Sequence, residues 1–258
     1  MLGCGNPPQS TSTDPFERFF SHRTTVFGIP VFATASVQEI NFRHAAAVLA
    51  EYLDNDENGQ VDDPAILQAL IRNKGALCIL KDEDELDFVL ENANSFPFEA
   101  QALFDHEIHP GGAARGEFDA TLEEVLHLYS NVGLAKAYPE EFGESPGTSL
   151  SRAMDLARGG YFDRIPTTYP ASAWYSYSDR SCDYECQATE YFYWAMTTLL
   201  GAQDFPGRAE EIRHEWRFTK PEQLRQGDPA IYQLLTKGPA TLPKRLPDGL
   251  YGRDLVPK

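Results

Sequence analysis

Residues 119–133, Asp-Ala-Thr-Leu-Glu-Glu-Val-Leu-His-Leu-Tyr-Ser-Asn-Val-Gly, leave few options for folding. Leu122, Val125, Leu126 and Leu128 recur at helical spacing, which predicts a helix with an apolar stripe packed on a core. Glu123, Glu124 and His127 sit within that stripe. Positions 123 and 127 are i and i+4, so their side chains share a face and can grip one ion. Placing two carboxylates and an imidazole among leucines costs free energy unless something compensates, and a metal ion is one such partner.

The rest of the composition fits a folded cation binder better than a nucleic-acid binder. A formal net charge of −17 repels phosphate backbones. Apolar residues make up 42% of the 258 and give ample material for a core. The 12 Tyr and 16 Phe exclude a disordered acidic chain. No run approaches 18 apolar residues, so no membrane span is expected.

Residues 1–15 read as a flexible leader, and 16–258 as one domain. A strand is expected over 24–34, with Pro30 implying an edge or a bend. Helices follow at 37–53 and 64–71, a strand at 76–80, a helix at 83–90 and a strand at 100–108, before the 119–133 helix. Further helices are expected near 150–158, 184–200 and 208–217, separated by loops rich in Pro, Gly and Ser. The fold class is therefore α+β: a small mixed sheet with helices, followed by a mostly helical lobe.

Zinc peptidases commonly carry His-Glu-x-x-His on a helix, with two His on zinc and the Glu as general base. Here the frame is Glu123-Glu124-Val125-Leu126-His127, with Glu in the place of the first His. Carboxylate oxygen is an acceptable zinc ligand, although it leaves a zinc-held water less acidic. The competing reading makes Thr121-x-x-Glu124 a helix capping box, with Glu123 solvated. A second constellation is Glu190, a single acid in the helix Ala188-Thr-Glu-Tyr-Phe-Tyr-Trp-Ala195. A buried lone carboxylate needs a partner, either a metal or an Arg or backbone donors.

With the order strand, strand, x-Glu-x-x-His helix, Tyr-containing loop and Glu-aromatic-aromatic helix, residues 100–235 resemble the gluzincin metallopeptidases. The nearest likeness is to the anthrax lethal-factor-like catalytic domain. The resemblance implies a zincin-like fold that cleaves a peptide or protein substrate. His127 matches the second motif His, Glu124 the base and Glu190 the downstream ligand, while Glu123 takes the first ligand position. Tyr177 takes the oxyanion-stabilising role, with Tyr175 and Tyr184 as alternatives. In the implied hydrolysis Glu124 accepts a proton from the attacking water. His106 and His109 are other candidates for the missing His, but on a strand they face opposite sides, so ordinary strand-end histidines are the simpler reading.

Residues 53–63 form a further cation motif. Asp54, Asp56, Asn58, Gln60 and Asp62 offer oxygens at alternate positions, and Gly59 fits the sharp turn of an EF-hand-type calcium loop. The helix–loop–helix over 40–72 would frame it. Position 12 is Ala65, where a bidentate Glu is expected, so weak Ca²⁺ affinity follows. The alternative is an acidic connection in which Asp and Asn serve as caps.

Two rival functions use the same residues. Glu51, Glu124-x-x-His127, Glu190 and Glu211-x-x-His214 follow the order of a ferritin-like di-iron bundle. Against it, Pro64, Pro110, Pro139, Pro146, Pro166, Pro170 and Pro206 cut the chain too finely for four long helices. The other rival is a non-catalytic, calcium-binding surface protein, in which His127 and Glu190 form a buried hydrogen-bonded pair. Cys182 and Cys186 either form a local disulfide or stand as free thiols. The start Met-Leu-Gly-Cys, with Cys4, resembles the end of a lipoprotein signal, though the charged and apolar regions that precede such a site are absent. Together these suggest an extracellular or cell-envelope protein, with a lipid anchor at Cys4 unless the likeness to a lipoprotein signal is accidental.

Overall fold

The computed structural model describes residues 16–93 and 97–252; Cys4 and the leader expected over 1–15 lie outside them. The first half is built on a four-stranded mixed sheet of order β1 (His22–Val26), β2 (Ile29–Ala33), β3 (Gly75–Leu80) and β4 (Glu99–Phe104). β1 and β2 are antiparallel, while β2–β3 and β3–β4 are parallel. The single strand expected over 24–34 is a hairpin. Phe27 and Gly28 both adopt positive φ (48° and 88°), the two-residue reversal that matches strand twist. Pro30 precedes the ladder to β3, which starts at Val31↔Leu77, so its missing N–H leaves no gap there.

The two parallel connections run through helices. α1 (Glu39–Leu53) and α2 (Pro64–Arg72) link β2 to β3, and α3 (Glu83–Asn92) links β3 to β4. β3 is buried along its whole length. On one face Phe16, Phe20, Phe32, Ala76, Cys78, Leu80 and Val89 form a small cluster. On the other, Val31, Leu77, Ile79 and Leu103 join the main core with α1, α2 and the helices that follow. β4 ends at Phe104, short of the Ile108 expected, because Asp105–Glu107 turn into a 3-10 helix.

α4 (Thr121–His127) follows and continues as a π-helical stretch, Leu128–Leu134, into α5 (Ala135–Ala137). Gly133 lets this stretch approach α2: a Cβ there would lie 2.9 Å from Ile66 Cγ2. The helical half comprises α6 (Ser149–Ala157), α7 (Tyr184–Leu200), α8 (Arg208–Ile212), α9 (Pro221–Gly227) and α10 (Pro229–Lys237). α8 stops at Ile212 rather than Arg217, and Trp216 instead forms an isolated bridge with Tyr175. α9 and α10, absent from the sequence expectation, each begin at a proline, and Asp228 caps α10. No helix among the described residues is long and apolar enough to cross a membrane.

Candidate metal centre

α4 is fixed before its functional side chains are considered. The buried Asp119 accepts from the backbone N–H groups of His109 and Thr121, and lies 2.6 Å from His44 Nε2 on α1. The buried Tyr52 hydroxyl donates to Leu122 O at 2.8 Å. Val125, Leu126 and Leu128 are fully buried, each contributing roughly 1.5–3 kcal/mol. The capping box does not form: Ala120 is the N-cap and makes no side-chain cap, and Glu124 accepts from Gln101 instead.

α7 packs against α4 and brings Glu190 to the other two candidates. Glu123, His127 and Glu190 offer ligand atoms that all lie within 4.8 Å of one another. His127 Nε2 is 3.6 Å from Glu190 Oε1 and 3.8 Å from Glu123 Oε1. Both separations exceed an ordinary hydrogen bond of about 2.7–3.2 Å. They approach the ~3.3–3.6 Å between donor atoms on a tetrahedral ion with bonds of about 2.0–2.2 Å. The His127–Glu190 contact is an ion pair, longer than an ordinary hydrogen bond. His127 Nδ1 is buried without a hydrogen-bond partner. The donor set fits a divalent cation.

Electrostatics agree. Burial raises the Glu190 and Glu124 carboxyls to about 7 each; the His127 charge opposes the shift and Glu123 adds to it. Burial disfavours a charged His127, but Glu123, Glu190 and Glu124 outweigh it and raise the imidazole to about 9. Two more carboxylates, Glu107 and Glu215, feel the Glu123 charge and are themselves raised, first by burial. Such a concentration of acid holds protons or a cation, and the two compete for the same atoms.

Tyr177 faces Glu190. Burial and then the Glu190 charge raise its hydroxyl, keeping it a neutral donor. The alternatives are committed elsewhere: Tyr175 donates to Gln187 O, and Tyr184 to Asp155. His106 contacts Lys81 O, His109 engages Asp119 through its backbone, and neither joins the cluster. The di-iron residues do not converge either. Glu51 accepts from Gly249 and Leu250, Glu211 pairs with Arg208, and His214 is exposed.

Gln101 was not among the sequence candidates. Its Nε2 donates to Glu124 Oε2 at 2.6 Å, reaching from β4 to α4. The signal was a polar residue in Ala100-Gln-Ala-Leu103, at the position that shares a sheet face with the core residue Leu103.

The loop between α1 and α2 forms a second cluster. Asp54, Asp56 and Asp62 bring carboxylate oxygens within 4.8 Å of one another. Asp54 also accepts from the N–H groups of Asn58 and Gly59 and from the Tyr251 hydroxyl. Asn58 Oδ1 accepts from Gln60 N, and Asp62 from Asn55 N. A cavity of about 1060 Å³ beside β1 and α1 lies apart from the Glu123–His127–Glu190 cluster, and its lining contains no such ligand group among the described residues.

No protein-family model, no curated protein and no solved structure matches this chain. Its chemistry is therefore read from its own side chains.

Proposed function

We propose that the chain is a zinc-dependent peptidase of zincin-like architecture, with Glu123, His127 and Glu190 as ligands. The observation that carries this reading is the 3.6 and 3.8 Å spacing around His127 Nε2, with one ligand atom from each of the three residues within 4.8 Å of the others. When bound, zinc supplies a Lewis acid that polarises a carbonyl and acidifies a water. Glu124, buried and held by Gln101, accepts the proton of the attacking water. Tyr177 donates a hydrogen bond to the oxyanion that develops on the peptide carbonyl. β4, which ends the sheet and reaches Glu124 through Gln101, would offer an extended peptide backbone its hydrogen bonds. Glu in place of the first His weakens the Lewis acid, so slow turnover is expected.

Metal analysis after chelator-free purification tests the centre. About one zinc per chain supports it; two irons, or calcium alone, would point to the rival functions. A quenched-peptide library tests the chemistry, with Glu124→Gln expected to abolish cleavage. Hydrolysis that survives this substitution sinks the assignment of Glu124.

Calcium is the proposed ion of the second cluster, where it would stabilise structure. Asp54 ties the loop to Tyr251 near the described C-terminal end, so an ion there would fasten both. A calcium-dependent rise in Tm that Asp56→Asn removes is the expected result. The Cys182–Cys186 disulfide supports an oxidising, extracellular or envelope setting.

A further inference from the structure

Behind Glu123 and His127 lies a chain of buried polar groups with a fixed direction. Arg208 is buried; its guanidinium carbon lies 4.2 Å from the Phe118 ring centroid, and its Nε donates to Gln203 Oε1 at 2.7 Å. Arginine can only donate, so the Gln203 amide must turn its oxygen toward Arg208. Its nitrogen then donates to Thr197 Oγ1 at 2.9 Å and to the Tyr193 hydroxyl oxygen at 3.5 Å. That oxygen is thereby used as an acceptor, which leaves the Tyr193 proton for the Glu123 carboxylate, whose charge acts on the phenol. The Tyr193 ring also meets the His127 imidazole edge-on, with centroids 5.6 Å apart. One fully buried side chain thus meets the His127 ring and feels the charge of Glu123.

We infer that Tyr193, oriented by Gln203 and Arg208, is a positioning residue that sets Glu123 and His127 for metal binding. This rests on the reading of Glu123, His127 and Glu190 as a metal centre. The physical need is specific to this chain. A glutamate in the first ligand position has more rotatable bonds than a histidine, and ordering it costs side-chain entropy. A hydrogen bond from a rigid, buried phenol bears that cost before the ion arrives. Such outer-shell partners typically change metal affinity 10–100-fold.

The experiment measures zinc affinity of the full chain by chelator competition, with zinc alone as the probe. Tyr193→Phe keeps the ring and removes the hydroxyl. It is expected to weaken zinc about 10–100-fold while the zinc-free Tm changes little. Gln203→Met, which breaks the link to Arg208, is expected to weaken zinc in the same direction and serves if Tyr193→Phe does not fold. In a Glu123→Ala background, Tyr193→Phe is expected to add less than it does alone, a coupling that a merely structural tyrosine would not show. Wild-type affinity in both single variants, with zinc lost in His127→Ala, overturns the role of Tyr193 and leaves the centre standing. Wild-type affinity in His127→Ala overturns the centre and this inference with it.

Discussion

His127 Nε2 on α4 and Glu190 Oε1 on α7 lie 3.6 Å apart, close enough for attraction and too far for a good hydrogen bond. Around them Glu123, Glu124, Glu107 and Glu215 add further acid, opposed at Glu107 by His106 and at Glu215 by His214 and Arg208. The site is therefore held together against its own charge, and its stability depends on what neutralises it.

Glu124→Gln should raise the Tm of the zinc-free protein while removing hydrolysis. Glu124 is buried, near Glu123 and Glu190, and is not among the three proposed ligands. The amide removes one desolvated charge and can still accept the Gln101 bond. Thermal unfolding in chelator checks this. A lower Tm for the variant would show that the carboxylate is compensated by contacts other than those described.

Zinc itself should act in the same direction. Binding only to the folded state at a thousand times Kd contributes about 4 kcal/mol. For a chain of this size that corresponds to a Tm rise of roughly 10 °C. Differential scanning calorimetry with and without zinc measures it. The same addition to His127→Ala should leave Tm unchanged.

Gln101→Leu separates positioning from binding. Leucine suits the face that position 101 shares with Leu103, so the sheet should tolerate it. Glu124 then loses its hydrogen-bond donor from β4. A fall in kcat of about tenfold or more is expected, with KM and zinc content unchanged. Lost zinc binding would instead mean that Gln101 supports the ligands.

How much of this was legible in the sequence varied with the kind of signal. Periodicity was enough for α4 and α7, because Leu122, Val125 and Leu126, or the run Tyr191–Trp194, can only be buried. Turn chemistry was missed where it depended on φ: nothing about Phe27 itself announces a left-handed residue, so the β1–β2 hairpin read as one strand. Trp216 looked like the end of a charged helix, yet its bridge to Tyr175 ends α8 early, a long-range contact overriding local spacing. The three candidate ligands were nameable from i, i+4 geometry and from one acid among aromatics. Gln101 and Tyr193 were not, since their importance lies in which side chains cross from other elements to meet them.

Glu51 should make the fold pH-dependent. Its carboxyl is raised to about 7, chiefly by burial, with the Gly249 N–H opposing. An acid whose folded pKa exceeds its unfolded value near 4.5 binds more protons in the native state between those pH values. Stability attributable to Glu51 therefore falls as pH rises from about 4.5 to about 7, by at most about 1.4 kcal/mol per pH unit, and is level above. Urea unfolding from pH 4.5 to 8 measures the slope. Glu51→Gln should flatten it, and an unchanged slope would assign the effect to other buried acids.

The Cys182–Cys186 disulfide should contribute stability without governing the site. It closes only a short loop at the start of α7, which chain-entropy arguments value at about 2 kcal/mol. α7 does not depend on it to begin, because Asp183 caps the helix through Cys186 N at 2.9 Å. Tyr177 has its own anchor, since its backbone N–H and C=O both bond the Tyr169 hydroxyl at 3.3 Å. Replacing both cysteines by serine should therefore lower Tm by several degrees and leave zinc affinity and peptide cleavage near wild type well below that temperature. Tyr169→Phe should do the reverse, sparing Tm more than activity, because it frees the segment that presents Tyr177 to Glu190. If the double serine variant loses cleavage while still folded, the disulfide is holding Tyr177 in place.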